Sequence, residues 1–173
     1  MWSVLSAPSR KRLGPTLAAF KQKSMRSVET ALAPFEAGNV DYVMSRQTGP
    51  ANGLAVIVSG SKGLALPLRH ERSGWKVEAP GPIKIDITDP RPASSGRVGK
   101  VVVELHRIHG AGQAGLFVDG RATAAKVVSR KGSATVYANL GRPLSPGLHV
   151  ATAYAQFGDN VSAVAWTFTA TKQ

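Results

Sequence analysis

A chain of 173 residues with 43% hydrophobic side chains is long enough to bury one sizeable core or two small ones. Cysteine is absent, which excludes disulfides and thiolate chemistry, and no run approaches the ~20 consecutive apolar residues of a membrane helix. The 22 Lys and Arg against 10 Asp and Glu give a net charge of +12, while 18 Gly and 11 Pro indicate many turns and short strands.

At the start, residues 2–7 are too short an apolar stretch for a signal peptide, and the charged Arg10, Lys11 and Arg12 follow it instead of preceding it. Residues 1–6 enter a packed-looking element with no lead-in, as expected of a chain cut from a longer parent. Residues 9–21 then set Leu13, Leu17 and Phe20 at helical spacing with Ser9 as cap. Pro15 is awkward inside that run, so a start at Gly14-Pro15 is the alternative, since Pro suits a first helical turn. Residues 28–35 predict a further helical turn or two before Gly38. Beyond it the pattern is that of strands, at 40–47, 53–59, 63–70, 74–78 and 83–87. Helices followed by a strand meander predict an α+β N-terminal domain, with few helices on a curved antiparallel sheet. Residues 88–99, rich in breakers such as Asp89-Pro90 and Ser95-Gly96, read as a linker between domains 1–87 and 100–173.

The second half reads as all-β. Its most informative run begins at the turn Ser145-Pro146-Gly147, after which residues 148–157 alternate. His149, Ala151, Ala153, Ala155 and Phe157 share one face, Leu148, Val150, Thr152 and Tyr154 the other, and both are apolar enough to leave the inward one undecided. Gly158-Asp159-Asn160 supplies a hairpin turn, and the returning strand puts Val164, Trp166 and Phe168 on a core face.

Pro146, Gly147, His149, Asn160, Trp166 and Phe168 make this run resemble the last hairpin of bacterial immunoglobulin-like domains. The segment Gly115-Leu116-Phe117-Val118-Asp119-Gly120-Arg121 resembles a strand and turn from the middle of such domains. The resemblance spans roughly residues 84–171 and implies an Ig-like β-sandwich. Phe157 stands where an Asp often precedes the turn, so no calcium site is implied. Residues 2–87 resemble the nuclear-transport-factor-2-like, cone-shaped α+β superfamily. The matches are Trp2-Ser3-Val4-Leu5-Ser6 with Arg10 and Arg12, Gly63-Leu64-Ala65-Leu66-Pro67-Leu68, and Gly74-Trp75-Lys76-Val77. The long first helix that normally covers the cone is missing, a second reason to expect a truncated start. Together the resemblances imply a bacterial secreted or envelope protein of the actinobacterial type, with the cytoplasm as alternative.

Chemistry is sparse. His106 and His109 have a spacing seen in metal sites, but on a strand they point to opposite faces. No metal or cofactor is expected. His149 is expected to be a hydrogen-bonded structural residue. There is no GxSxG elbow, no P-loop and no dinucleotide fingerprint, so no catalytic residue is nominated. If the first half encloses a cone pocket, Asp41, Tyr42 and His70 are its candidate ionisable residues. The positive charge peaks at Arg10, Lys11, Arg12, Lys21, Lys23 and Arg26, with a smaller group at Lys126, Arg130 and Lys131. These are candidate contacts for an anionic polymer. Specific nucleic-acid binding is not expected, because interleaved aromatics and known signatures are missing. The sequence therefore predicts a non-enzymatic binding or structural module whose partner is an envelope protein or polymer. A small-molecule binder or enzyme using the cone pocket and a polyanion binder are the alternatives.

Overall fold

The computed structural model describes residues 2–35, 40, 42–79 and 81–172. Two 3-10 turns, Trp2–Val4 and Ala33–Phe35, flank three helices, α1 (Ala7–Leu13), α2 (Leu17–Lys23) and α3 (Met25–Leu32). Ser6 caps α1 through a bond from the Ser9 amide, and Pro8 lies in the first turn, where its missing N–H costs nothing. Thr16 caps α2 in the same way from Ala19. Ser9, the expected cap, is instead buried, and its hydroxyl accepts from the Ala79 amide, tying α1 to the strand layer beneath.

The strands are β1 (Tyr42–Gly49), β2 (Asn52–Ser59), β3 (Lys62–Glu71), β4 (Gly74–Val77), β5 (Lys84–Asp89), β6 (Ser95–Gly96) and β7 (Lys100–His106), followed by β8 (Gly112–Val118), β9 (Arg121–Ala122), β10 (Lys126–Arg130), β11 (Ser133–Asn139), β12 (Gly147–Phe157) and β13 (Asn160–Ala170). Among the described residues one sheet runs β10-β11-β7-β5. The other runs β1-β2-β3-β13-β12-β8-β9, with β4 on β3 and β6 parallel on β13. The order β10-β11-β7-β5 facing β13-β12-β8-β9 is that of an immunoglobulin-like sandwich.

The interior has two parts. Between the two sheets, Val101, Val103, Leu105, Val136 and Leu116 pack with Ala151, Ala153, Trp166 and Phe168. On the other side of β12 and β13, Val150, Tyr154, Val161 and Ala165 pack with Leu54, Val56 and Val58 of β2. The strand pair β12–β13 is therefore a middle layer, buried on both faces, which explains why the alternation of residues 148–157 shows no polar side. The meander β1–β3 folds over this layer after joining it at one place, where Lys62 of β3 pairs with Trp166 of β13. That join needs a glycine: a Cβ at Gly63 would come 2.5 Å from the Ala165 carbonyl oxygen.

The expected α+β N-terminal domain is corrected by this arrangement. Among the described residues the chain is mostly β, its long strands paired antiparallel in two sheets, with the helices confined to residues 7–32. The cone-shaped resemblance is likewise not supported, because the apolar face of the meander is closed by the sandwich and not by a long helix. Within residues 88–99 lie the last two residues of β5, a cis Asp89–Pro90 bond and β6. β5 pairs along β7, and Trp166 Nε1 donates to the Pro90 carbonyl at 2.9 Å.

At the far end of the sheet, β10 is exposed along its whole length, with Val127 and Val128 open to solvent between Lys126 and Arg130. Near the opposite end of the sandwich, the Asp119-Gly120 turn has positive φ at both residues, as a tight hairpin of this kind requires.

Candidate functional site

Two arrangements of polar and aromatic side chains stand out, and their chemistry differs. The first is closed. His149, at the start of β12, is 6% exposed and stacks on Phe168, ring centroids 5.6 Å apart. Its Nδ1 lies 2.7 Å from Asp119 Oδ2 and its Nε2 2.7 Å from the Ser145 carbonyl oxygen. Both neighbours only accept, so the form that satisfies both nitrogens is the doubly protonated imidazolium. Burial lowers the His149 pKa, but the Asp119 hydrogen bond, the Ser145 carbonyl and the Asp119 charge outweigh it, and the net shift is upward. Asp119 Oδ1 also accepts from the Val150 amide at 3.0 Å. Both ring nitrogens of His149 and both carboxylate oxygens of Asp119 have partners, which pins the β8–β9 turn to β12.

The second arrangement is open. On the outer face of the meander, Gln47, Gly53 and Leu68 stand opposite one another on β1, β2 and β3. Trp75 of β4 leans over this row; a Cβ at Gly53 would come 3.1 Å from its ring. Trp75 is nonetheless 46% exposed. The result is an open trough of about 310 Å³, with Gly53 and Leu68 as floor, Trp75 as wall, and Ser45, Gln47 and Arg46 at the rim. Across the β1 ridge lies a groove of about 230 Å³ between β1 and β8, lined by Arg46, Thr48, Gln113, Phe117 and Tyr154 among others. Arg46 lies over the Phe117 ring at 5.5 Å and donates to the Gly120 carbonyl at 3.1 Å. Tyr154 donates to Gln156 Oε1 at 2.9 Å, and Asn52 Nδ2 donates to the same oxygen at 3.0 Å. Burial raises the Tyr154 pKa, which keeps the phenol protonated as a donor. The Thr48 hydroxyl beside it is shielded from solvent and close enough to interact with the Tyr154 phenol.

Of the pocket candidates, Asp41 lies outside the described residues. Tyr42 opens β1 opposite Val58. His70 is exposed at the end of β3 and meets Trp75 edge-on at 5.1 Å. The structure therefore brings one of the three to the border of the trough. Of the basic residues, Arg10 stacks over Trp2 at 5.0 Å and Arg12 donates to the Ala79 carbonyl. Lys11, Lys21, Lys23 and Arg26 are exposed on the helices, and Lys126, Arg130 and Lys131 are exposed at the β10 edge. His106 sits 3.3 Å from Asp86, whose carboxyl is held below its usual range chiefly by a hydrogen bond from Lys84. Among the described residues no group of three His, Cys, Asp or Glu is placed to hold a metal ion. Among the same residues no helix is long and apolar enough to cross a membrane. Sequence reasoning missed Gly53, Gln47, Arg46 and Thr48, whose meeting with Trp75 and Tyr154 depends on non-local pairing. The available signal was a Trp on a four-residue strand, too short to bury it.

The fold defines the chain as an immunoglobulin-like β-sandwich carrying an N-terminal strand meander. No protein-family model matches it. No curated protein matches it either. Among solved structures it is similar to an endo-β-1,4-mannanase from Thermotoga petrophila, at 9% identity and a TM-score of 0.40 over 53% of this chain; the chain spans 20% of that protein's length. It is also similar to PcoC, a methionine-rich copper resistance protein from Escherichia coli, at 18% identity and a TM-score of 0.36 over 54% of this chain and all of that one. A third likeness is to a domain from titin, at 12% identity and a TM-score of 0.36 over 52% of this chain and 95% of that domain. At these scores no ligand or activity is carried over.

Proposed function

We propose that the chain is a non-enzymatic binding module, in which the sandwich is a rigid frame and the face around Trp75 is the contact surface. The observation that carries this reading is the exposed Trp75 ring propped on Gly53 at the mouth of a trough with a polar rim. A large aromatic held in place by a glycine loses little freedom on binding, and the rim supplies orienting hydrogen bonds. Mapping small aromatic and amide fragments by protein NMR tests it. Shifts that cluster on Gln47, Gly53 and Trp75, and vanish in Trp75→Ala, are expected. Fragments that gather elsewhere, or nowhere, would remove the reading.

A second reading is attraction of anionic polymers by the helical cations. Lys11, Lys21, Lys23 and Arg26 form no ion pair among the described residues and are exposed, so their charge is uncompensated locally. Retention on heparin that weakens steeply with salt is expected, and flow-through at low salt would end it. A secreted or envelope setting in a bacterium belongs to the same proposal, and fractionation of the native host, probed with an antibody to this chain, tests it.

A further inference from the structure

Among the described residues β1 pairs with β2 alone, so its other edge carries backbone groups with no strand beside them. Such an edge is a template for a further strand. Here it is flanked by cavities on both faces. The pleat alternates along residues 45–48 between the two cavities: Ser45 lines the Trp75 trough, Thr48 the Tyr154 groove, and Arg46 and Gln47, on the ridge between them, border both. A strand laid along residues 45–48 would do the same with its own side chains, one into the trough and the next into the groove. Edge pairing combined with pockets for alternate side chains is a known recognition mode.

The chemistry of the groove narrows the partner. Arg46 is the one charged residue lining either cavity, and no carboxylate lies within ion-pair distance of it among the described residues. Its guanidinium is already steered by the Gly120 carbonyl and the Phe117 ring, which fixes its position without neutralising it. The groove also takes small floor residues, Ala114 and Gly115, which leave room for an incoming side chain.

We propose that the 45–48 edge of β1 binds an extended peptide segment by strand addition, with an acidic side chain of that segment meeting Arg46 in the groove and its neighbours facing the Trp75 trough. This rests on the reading of the Trp75 face as a contact surface and names its ligand class.

The test uses the full chain and the peptide acetyl-Thr-Val-Asp-Val-Thr-Val-amide, followed by amide shifts in protein NMR. Shifts at residues 45–48 are expected. The Asp anchors the register, so N-methylation of the alternate residues whose N–H faces β1 abolishes binding, while methylation of the other alternate set leaves it. Replacing the peptide Asp by Asn weakens binding about tenfold. Arg46→Gln removes that dependence on Asp, and Arg46→Lys, which keeps the charge, retains part of it. Equal behaviour of the two methylated sets, or shifts confined to another edge such as β10, overturns the proposal. Concentration-dependent shifts at 45–48 without peptide would assign the edge to a second copy and also overturn it. If fragments still map to the trough while the peptide does not bind, this inference falls and the contact-surface reading stands; if both fail, both fall.

Discussion

The His149 corner and the Trp75 face use the same ingredients, an aromatic surface, a cation and carbonyl acceptors, toward opposite ends. In the corner the cation is buried, stacked on Phe168 and paired at both nitrogens, so nothing is left to offer a ligand. On the outer face the aromatic is half bare and Arg46 has a carbonyl and a ring but no counter-charge. The difference teaches that pairing, more than residue type, separates a structural polar cluster from a binding one.

The contrast can be broken most forcefully from beneath the corner. Phe168→Ala removes a fully buried ring shared by the stack and the inter-sheet core, and a loss of about 3–5 kcal/mol in urea unfolding is expected. Asp119→Ala should cost less, about 1–2 kcal/mol. It strips the imidazolium and the Val150 amide of their acceptor, but the Asp119 carboxylate is 44% exposed and water replaces part of it. Asp119→Asn keeps the positive-φ preference of the turn and separates loss of charge from backbone strain.

A smaller effect is readable in pH. Because the folded His149 pKa is raised, its stabilisation is complete below the unfolded imidazole value of about 6.5 and is lost as pH rises through the higher folded value. The urea midpoint of the native chain should therefore fall as pH rises above the unfolded imidazole value, and His149→Gln should flatten that slope. The smallest stability effect belongs to the outer face: Trp75→Ala is expected to change unfolding by less than about 1 kcal/mol while abolishing fragment binding. If that variant instead unfolded the protein, Trp75 would belong with the corner and the comparison would collapse.

Much of the sandwich was legible in the chain. The alternation through Val164, Trp166 and Phe168 marks a buried face, and those residues lie in the inter-sheet core. The N-terminal part was misjudged for a physical reason. Leu54, Val56 and Val58 announce an apolar strand face, but periodicity does not say what covers it, and the helical spacing upstream suggested helices. The actual cover is the outer face of β12 and β13, signalled only by those strands being apolar on both sides. The close approach at Gly63 that makes this possible looks in the sequence like any turn glycine. The open site was less legible still, since Gly53 and Trp75 are brought together by a register and Arg46 and Phe117 by the curl of a sheet.

The exposed β10 edge has a consequence for how the protein behaves in bulk. Val127 and Val128 form a short β-prone, apolar stretch at a sheet margin, and Lys126, Arg130 and Lys131 keep like copies apart by mutual repulsion. That guard is electrostatic, so it weakens as ionic strength rises. Solutions of this chain should scatter more light in molar salt than in dilute buffer, and replacing Val128 with Thr should restore clarity without any added charge.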